Sequence, residues 1–151
     1  MLREQVELIR SSLVVTDSHS ASMRIYRRIQ RGTLLRLLAG IYIPRSLLEG
    51  RSPVGFREIT FIARICALGL RYPDYVISGA VAAYILDLPC ENRIERLTLY
   101  APSRQCPNLV HFPEIVIDDN IRIPSACIRT CRPSRPVSSI EYLGFRIATP
   151  A

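Results

Sequence analysis

The sequence contains no lysine, no tryptophan and no long apolar run, and each absence narrows the possible functions. Its 20 basic residues are therefore all arginines, which stand against 13 acidic residues and leave a net charge of +7. Because arginine must fill every cationic role, its abundance alone identifies no partner. A membrane span needs roughly 18 consecutive apolar residues, and the N-terminus carries Glu4 without the apolar stretch of a signal peptide. We therefore expect a cytoplasmic protein without a membrane segment.

Motifs of metal, cofactor and catalytic chemistry are also missing. The patterns G-x-S-x-G, H-E-x-x-H, G-x-G-x-x-G and the P-loop do not occur. The five cysteines include no C-x-x-C pair, and the two isolated histidines do not complete a zinc set. We expect no metal, no cofactor and no enzymatic activity, and we expect the thiols to be reduced and mostly buried.

Three polar groups resemble parts of an active site, and each has a simpler interpretation. Asp118 and Asp119 point to opposite sides of an extended chain, so with Glu114 they indicate a solvated turn rather than a two-metal nuclease centre. His111 lies on an alternating segment and is interpreted as a surface or packing histidine. The Ser-His-Ser run at 18–20 is interpreted as helix capping.

The distribution of charge is more informative than its total. Between Ser18 and Leu48 there are six arginines and no acidic residue, whereas the rest of the chain is close to balanced. A segment of one sign lets a polyanion approach without repulsion. This pattern favours a nucleic-acid partner, and the alternative is an ordinary solvated arginine face.

A helix carrying these arginines is predicted between Ser22 and Arg31. Four arginines recur at i, i+3, i+4 and i+7, which places them on one helix face. Ile25 and Ile29, with Tyr26 beside them, are spaced to cover another face. Ser20 or Ser22 is expected to cap the helix start, and Gly32 is placed to end it as a left-handed residue.

A two-stranded ribbon is predicted immediately after this helix. Residues 33–37 and 41–43 read as strands joined across Leu38, Ala39 and Gly40, and Pro44 closes the second strand. A cationic helix followed at once by a β-ribbon is typical of a winged helix-turn-helix, in which the recognition helix enters the major groove.

The whole chain is predicted to be an α+β protein. A winged helix-turn-helix covers residues 1–45, a short linker covers 46–53, and a second module covers 54–151. The second module is predicted to hold two helices and then a mainly antiparallel sheet, because the apolar period changes to two after Arg93. The two modules should pack together. The final residues, 148–151, read as the start of a further helix, so we expect a truncated C-terminus.

DNA contacts are assigned from this arrangement. Arg24 and either Arg27 or Arg28 are placed to reach base edges, where a guanidinium pairs with guanine. The other candidates are placed to hold phosphates. The predicted DNA-binding residues are Arg24, Arg27, Arg28, Arg31, Thr33, Arg36 and Tyr42.

Three segments also resemble those of AbiEi-type antitoxins, the regulators of type IV toxin–antitoxin (abortive infection) systems. Residues 31–44, RGTLLRLLAGIYIP, are similar to the R-G-x-L-x-R-L-x-x-G-V-Y-x-P wing of that family. Residues 73–89 resemble its P-D-A-V-x-S-x-x-S-A-A-x-L-x-G-L-P segment, and residues 144–151 resemble its G-L-x-V-T-x-P-A segment. One departure is that the chain between Val15 and Arg31 is about one helical turn shorter than usual.

The resemblance implies an N-terminal winged helix that binds its own promoter and a following domain that counters a nucleotidyltransferase toxin. A homodimer is also expected, since palindromic operators favour two-fold proteins. Two alternatives stand beside this interpretation. The first is a protein-interaction module whose degenerate winged helix docks a partner, such as a toxin. The second is the non-catalytic front part of a nuclease that continues beyond residue 151.

Overall fold

The structure is a computed structural model, and it describes residues 1–16, 19–89, 93–102 and 107–149. In these ranges it contains four α-helices and eleven strands, so the α+β class is confirmed. The helices are α1 (Arg3–Ser12), α2 (His19–Gln30), α3 (Pro53–Arg71) and α4 (Gly79–Ile85). The strands are β1 (Val14–Val15), β2 (Leu34–Leu38), β3 (Ile41–Pro44), β4 (Val76–Ser78), β5 (Leu97–Tyr100), β6 (Leu109–Phe112), β7 (Ile115–Asp118), β8 (Ile121–Ile123), β9 (Ala126–Cys131), β10 (Ser139–Tyr142) and β11 (Phe145–Ala148).

The N-terminal strands form a three-stranded antiparallel sheet in the order β1-β3-β2. The predicted ribbon is therefore present, with its turn at Ala39 and Gly40 and a bulge between Arg36 and Leu38. Gly40 has a φ of +78°, which glycine adopts without the steric cost that a side chain brings. Strand β1 adds a third strand that the sequence had indicated only as a brief extended piece.

Helix α2 ends in a Schellman motif. Gly32 has a φ of +74°, and its amide donates to the carbonyl of Ile29 at 2.9 Å. The Thr33 amide donates to the carbonyl of Arg28, also at 2.9 Å. These two bonds satisfy carbonyls that the helix end would otherwise leave without partners. The prediction that Gly32 ends the helix is confirmed.

The start of α2 differs from the prediction. The helix begins at His19, three residues before Ser22, so Ser20 and Ser22 lie inside it and neither is the capping residue. The residues immediately before the helix, 17–18, lie outside the described ranges.

Helix α3 is the central element. Its Ser52 cap accepts from the Gly55 amide at 3.1 Å, and Pro53 occupies the first helical turn, where a missing N–H costs nothing. Ten consecutive residues, Ile59 through Leu68, are buried. A helix that is buried on every side along such a length must be enclosed by other elements, and α1, the ribbon and strands β8 and β11 all contact it.

The C-terminal sheet has six strands in the order β10-β11-β4-β5-β9-β6. Its three antiparallel pairs alternate with two parallel pairs, β11 with β4 and β5 with β9. Antiparallel pairs outnumber parallel ones, as predicted, but the two parallel pairs make the sheet a mixed one. Strands β7 and β8 form a separate hairpin. Periodicity finds strands but not their partners, and parallel pairs arise here between strands far apart in sequence.

The two predicted modules share one continuous core. This core runs from Val6 in α1 to Ile147 in β11, and it includes Leu48, which lies in the predicted linker 46–53. Arg10 reinforces the junction, because its guanidinium donates to the Leu143 carbonyl at 2.6 Å and lies 4.9 Å from the centre of the Phe145 ring. The expected packing of the modules against each other is thus observed.

Cysteine burial follows the prediction only in part. Cys66 is buried in α3, but Cys127 and Cys131 are exposed on β9, so the expectation of mostly buried thiols is wrong for these two. Cys90 and Cys106 lie outside the described ranges, as do residues 150–151, where a further helix was expected to begin. None of the described helices combines the length and apolarity needed to cross a membrane.

We predict that Gly32→Ala destabilises the protein by about 1–2 kcal/mol, because an L-side chain is strained in the left-handed region. Gly69→Ala is the matched control. Gly69 lies inside helix α3, and no atom approaches within 4 Å of the position that an alanine methyl group would take. Alanine there should be neutral or stabilising by up to about 1 kcal/mol. Urea unfolding of the three proteins measures the difference, and equal midpoints for the two variants would contradict the role of Gly32.

We also predict that the described thiols differ in reactivity. Burial raises the pKa of Cys66 to about 11, an effect that the Arg10 guanidinium partly offsets. At pH 8 iodoacetamide should therefore modify Cys127 and Cys131 in the folded protein and leave Cys66 intact until urea is added. Peptide mass spectrometry after timed alkylation checks this. Modification of Cys66 at the rate of Cys127 would show that α3 opens in the native state.

Candidate nucleic-acid interface

Helix α2 is attached to the protein by a narrow apolar stripe. From Met23 onward, only Ile25 is buried and Ile29 half-buried, while the remaining helical side chains are exposed. Ile25 and its buried neighbour on β2, Leu34, both lie outside the continuous core. The helix therefore contributes little to the main core and presents most of its circumference to solvent.

The position of α2 follows from the faces of the ribbon. Leu35 and Ile43 are directly opposite each other and pack into the main core. Side chains alternate between the two faces of a strand. Leu34 is adjacent to Leu35 in sequence and therefore lies on the opposite face. Helix α2 contacts β2, and the burial of Leu34 outside the main core is explained by α2 covering this second face.

The four predicted arginines of α2 form an open row. Arg24, Arg27, Arg28 and Arg31 are all exposed. Within the described ranges, the ion pairs of the structure involve other residues, and no carboxylate neutralises any of the four. The row is therefore a region of uncompensated positive charge on the face of a helix.

Arg36 and Tyr42 lie on the face of the ribbon next to α2. They are cross-strand partners on β2 and β3, so their side chains share one face. That face is the one carrying Leu34, two residues before Arg36, and it is the face next to α2. Arg36 is exposed and Tyr42 half-buried. The structure thus brings Arg36 and Tyr42 to the same side of the sheet as the arginine helix.

Thr33 is placed differently from the other candidates. Its hydroxyl donates to the carbonyl of Arg28 at 3.0 Å, the same carbonyl that accepts from its amide. A hydroxyl has one proton to donate, so Thr33 closes the end of α2 and is not free to donate to a phosphate. It positions the neighbouring arginines.

Arg45 belongs to the acid-free segment but is not part of the open row. Its Nε donates to the Glu49 carboxylate at 2.6 Å, and a terminal guanidinium nitrogen donates to the Ile117 carbonyl at 2.6 Å. It therefore joins the end of the ribbon to the β7–β8 hairpin, and its charge is compensated.

Two exposed side chains of α2 were missed by the sequence analysis. Tyr26 was assigned to the packed face, but 56% of its surface is accessible, and Met23 is 48% accessible. Consecutive helix residues are about 100° apart around the axis, so Tyr26 lies to the side of the arginine row rather than within it. The sequence did carry a signal for the exposure of Tyr26. Ile25 and Ile29 are four residues apart and form a narrow apolar stripe, so Tyr26 lies on the flank of that stripe.

The remaining polar candidates behave as structural groups. The Asp118 carboxylate accepts from the amides of Asn120 and Ile121 at 2.8 and 3.0 Å, which confirms a solvated turn. Glu114 pairs with Arg122 at 3.5 Å. His111 is exposed on β6 opposite Cys127, as expected for a surface histidine.

Comparison of the chain with protein-family models, with curated proteins and with solved structures gave no match. The resemblance to AbiEi-type antitoxins therefore stays a prediction.

Proposed function

We propose that the protein is a non-enzymatic, double-stranded DNA-binding regulator that uses α2 and the β2–β3 ribbon. One observation carries this proposal: the row Arg24, Arg27, Arg28 and Arg31 is exposed, and no carboxylate in the described ranges neutralises it. DNA is a dense polyanion whose binding is driven largely by the release of counterions from phosphates. An open arginine row beside a ribbon suits such a partner.

The dimensions of α2 suit the major groove. The helix has 12 residues and is therefore about 18 Å long, and the arginine row extends over about 10 Å of it. The major groove is about 12 Å wide and admits one helix. Arg24 and Arg27 or Arg28 are the candidates for base edges, while Arg31, Arg36 and Tyr42 are the candidates for phosphates.

The winged helix-turn-helix interpretation is proposed in a reduced form. A helix-turn-helix needs two helices joined by a turn of three or four residues. Here β1 lies between α1 and α2, and residues 16–18 alone separate β1 from α2. Three residues are too few for a helix at that point. We therefore propose a single DNA-contacting helix flanked by a wing, with affinity dominated by phosphate contacts.

The wider role follows the antitoxin resemblance. We propose that the protein acts at its own promoter and that the remaining domain counters a nucleotidyltransferase toxin, with homodimerisation on a palindromic operator. A second candidate is docking of that partner by α2 itself. The exposed Met23 and Tyr26 favour it, because methionine, tyrosine and arginine are enriched at protein interfaces.

We predict that Arg27→Ala/Arg28→Ala weakens binding to the upstream region of the gene. Since one of the two arginines is assigned to a base edge, one phosphate contact at most is lost, and the slope of log affinity against log salt should fall by about 0.9. Electrophoretic shifts at several salt concentrations measure this slope. Arg129→Ala/Arg135→Ala is the matched control, because both residues are exposed in the C-terminal half and it removes the same charge.

The outcomes separate the two candidates. A slope reduced only by the α2 variant supports DNA binding, whereas equal reductions in both variants would indicate attraction by net charge alone. Unchanged DNA affinity in the α2 variant contradicts the proposal. Met23→Ser/Tyr26→Ser should then abolish co-purification with the co-expressed neighbouring gene product if α2 docks a protein. Thermal unfolding of every variant excludes misfolding, since cations near a helix C-terminus contribute about 0.3–1 kcal/mol each.

A further inference from the structure

A cleft of about 420 Å³ lies between α3, the short 3₁₀ turn Ile94–Arg96 and strand β8. Its volume falls within the range of roughly 300–1,000 Å³ that is typical of small-molecule sites. No described residue of α2 or of the β2–β3 ribbon lines it. Four of its described lining residues are arginines: Arg57, Arg64, Arg93 and Arg122.

Helix α3 supplies the floor of this cleft. Arg57, Thr60 and Arg64 recur at i, i+3 and i+7 and therefore share one helix face. This is a polar stripe on a helix that is otherwise apolar. The apolar side chains of Phe61, Ile94 and Ile123 complete the wall.

Arg64 is a fixed charge at the base of the cleft. Its side chain is 2% exposed, and one terminal nitrogen donates to the carbonyls of Pro113 and Pro124, at 3.0 Å each. Its guanidinium also lies 5.5 Å from the centre of the Phe112 ring. Pro113 precedes β7 and Pro124 follows β8, so Arg64 holds both ends of that hairpin. An arginine anchored in this way stays charged and keeps its position.

Thr60 supplies a second buried polar group. The residue is 1% exposed, and within the described ranges its hydroxyl has no hydrogen-bond partner. A buried hydroxyl without a partner is destabilising. Its place in the lining of the cleft gives a reason for its retention, because a ligand that enters there can accept a hydrogen bond from this hydroxyl.

The rim adds further positive charge. Three arginines are exposed at the mouth of the cleft: Arg57, Arg93 and Arg122. Arg122 forms an ion pair with Glu114 at 3.5 Å. None of the described residues that line the cleft is acidic. Guanidinium groups bind phosphate oxygens in bidentate fashion, and a hydroxyl donor beside them adds a further bond.

We propose that this cleft binds a small phosphate-bearing ligand, either free phosphate or a nucleoside monophosphate. The two share the phosphate group that the arginines and Thr60 recognise. The concave shape and the single buried hydroxyl favour a small anion over a DNA backbone, which the open row on α2 suits better.

Isothermal titration calorimetry of the full chain with inorganic phosphate and with adenosine monophosphate tests this proposal. Ionic strength is held constant with sodium chloride. We expect saturable binding that weakens at least tenfold in Arg57→Gln and in Thr60→Val, and that is unchanged in Arg135→Gln, which removes an exposed arginine elsewhere. Tighter binding of adenosine monophosphate supports a nucleotide ligand, and equal binding supports phosphate alone.

Several results would overturn the proposal. These are the absence of saturable binding of either ligand, equal binding in Arg57→Gln and wild type, or a loss of DNA affinity in the cleft variants as large as in Arg27→Ala/Arg28→Ala. Thr60→Val guards against misfolding as an explanation. Because it removes a buried hydroxyl without changing side-chain shape, its thermal stability without ligand should equal or exceed that of the wild type.

Discussion

The structure depends on the enclosure of helix α3. Eleven of its 19 residues are buried, and ten of them are consecutive, so the helix has no solvent-facing side along its middle. Such a helix is not stable in water by itself, and its folded conformation is stabilised by packing on several faces at once. Helix α1, the ribbon and the C-terminal strands provide those faces, which is why residues from both ends of the chain meet in one core.

This enclosure explains why α2 is available for binding. Helix α1 and the core-facing side of the ribbon are committed to α3, whereas α2 lies on the other face of the ribbon and buries only a narrow stripe. Its arginines are therefore supported by a sheet that is itself fixed to the core. The helix that we propose to contact DNA is thus held in position by the ribbon, and substitutions on its open face should leave the main core unchanged.

Sequence reasoning predicted the features that depend on neighbouring residues. The end of α2 at Gly32 and the ribbon turn at Gly40 both followed from local residue types, and the structure has each of them. The mixed order of the C-terminal sheet did not follow, because strand partners are chosen by contacts between distant segments. The exposure of Tyr26 was missed although the four-residue spacing of Ile25 and Ile29 indicated it.

The cleft on α3 could not be predicted from the sequence either, although the residues of its polar stripe could be identified there. Thr60 and Arg64 lie in a run of apolar residues, and periodicity alone counts them as interruptions of a buried face. Only the fold shows that the β7–β8 hairpin closes over Arg64 and leaves a concave surface beside it.

The absence of lysine gives the open row on α2 its weight. In a chain whose every cation is arginine, the guanidinium groups take up structural roles wherever carbonyls are within reach. Arg10, Arg45, Arg51 and Arg64 all donate to backbone carbonyls of the described chain. These contacts stabilise the junctions between elements, because an arginine stays charged and a hydrogen bond from a charged donor is stronger than one between neutral groups. The arginines of α2 differ in kind, since the helix that carries them stands apart from the core and its exposed face meets no carboxylate of the described chain. Composition therefore explains why these residues are arginines. It does not explain why four of them share one helix face that no carboxylate of the described chain compensates. The proposed binding to a polyanion explains that arrangement.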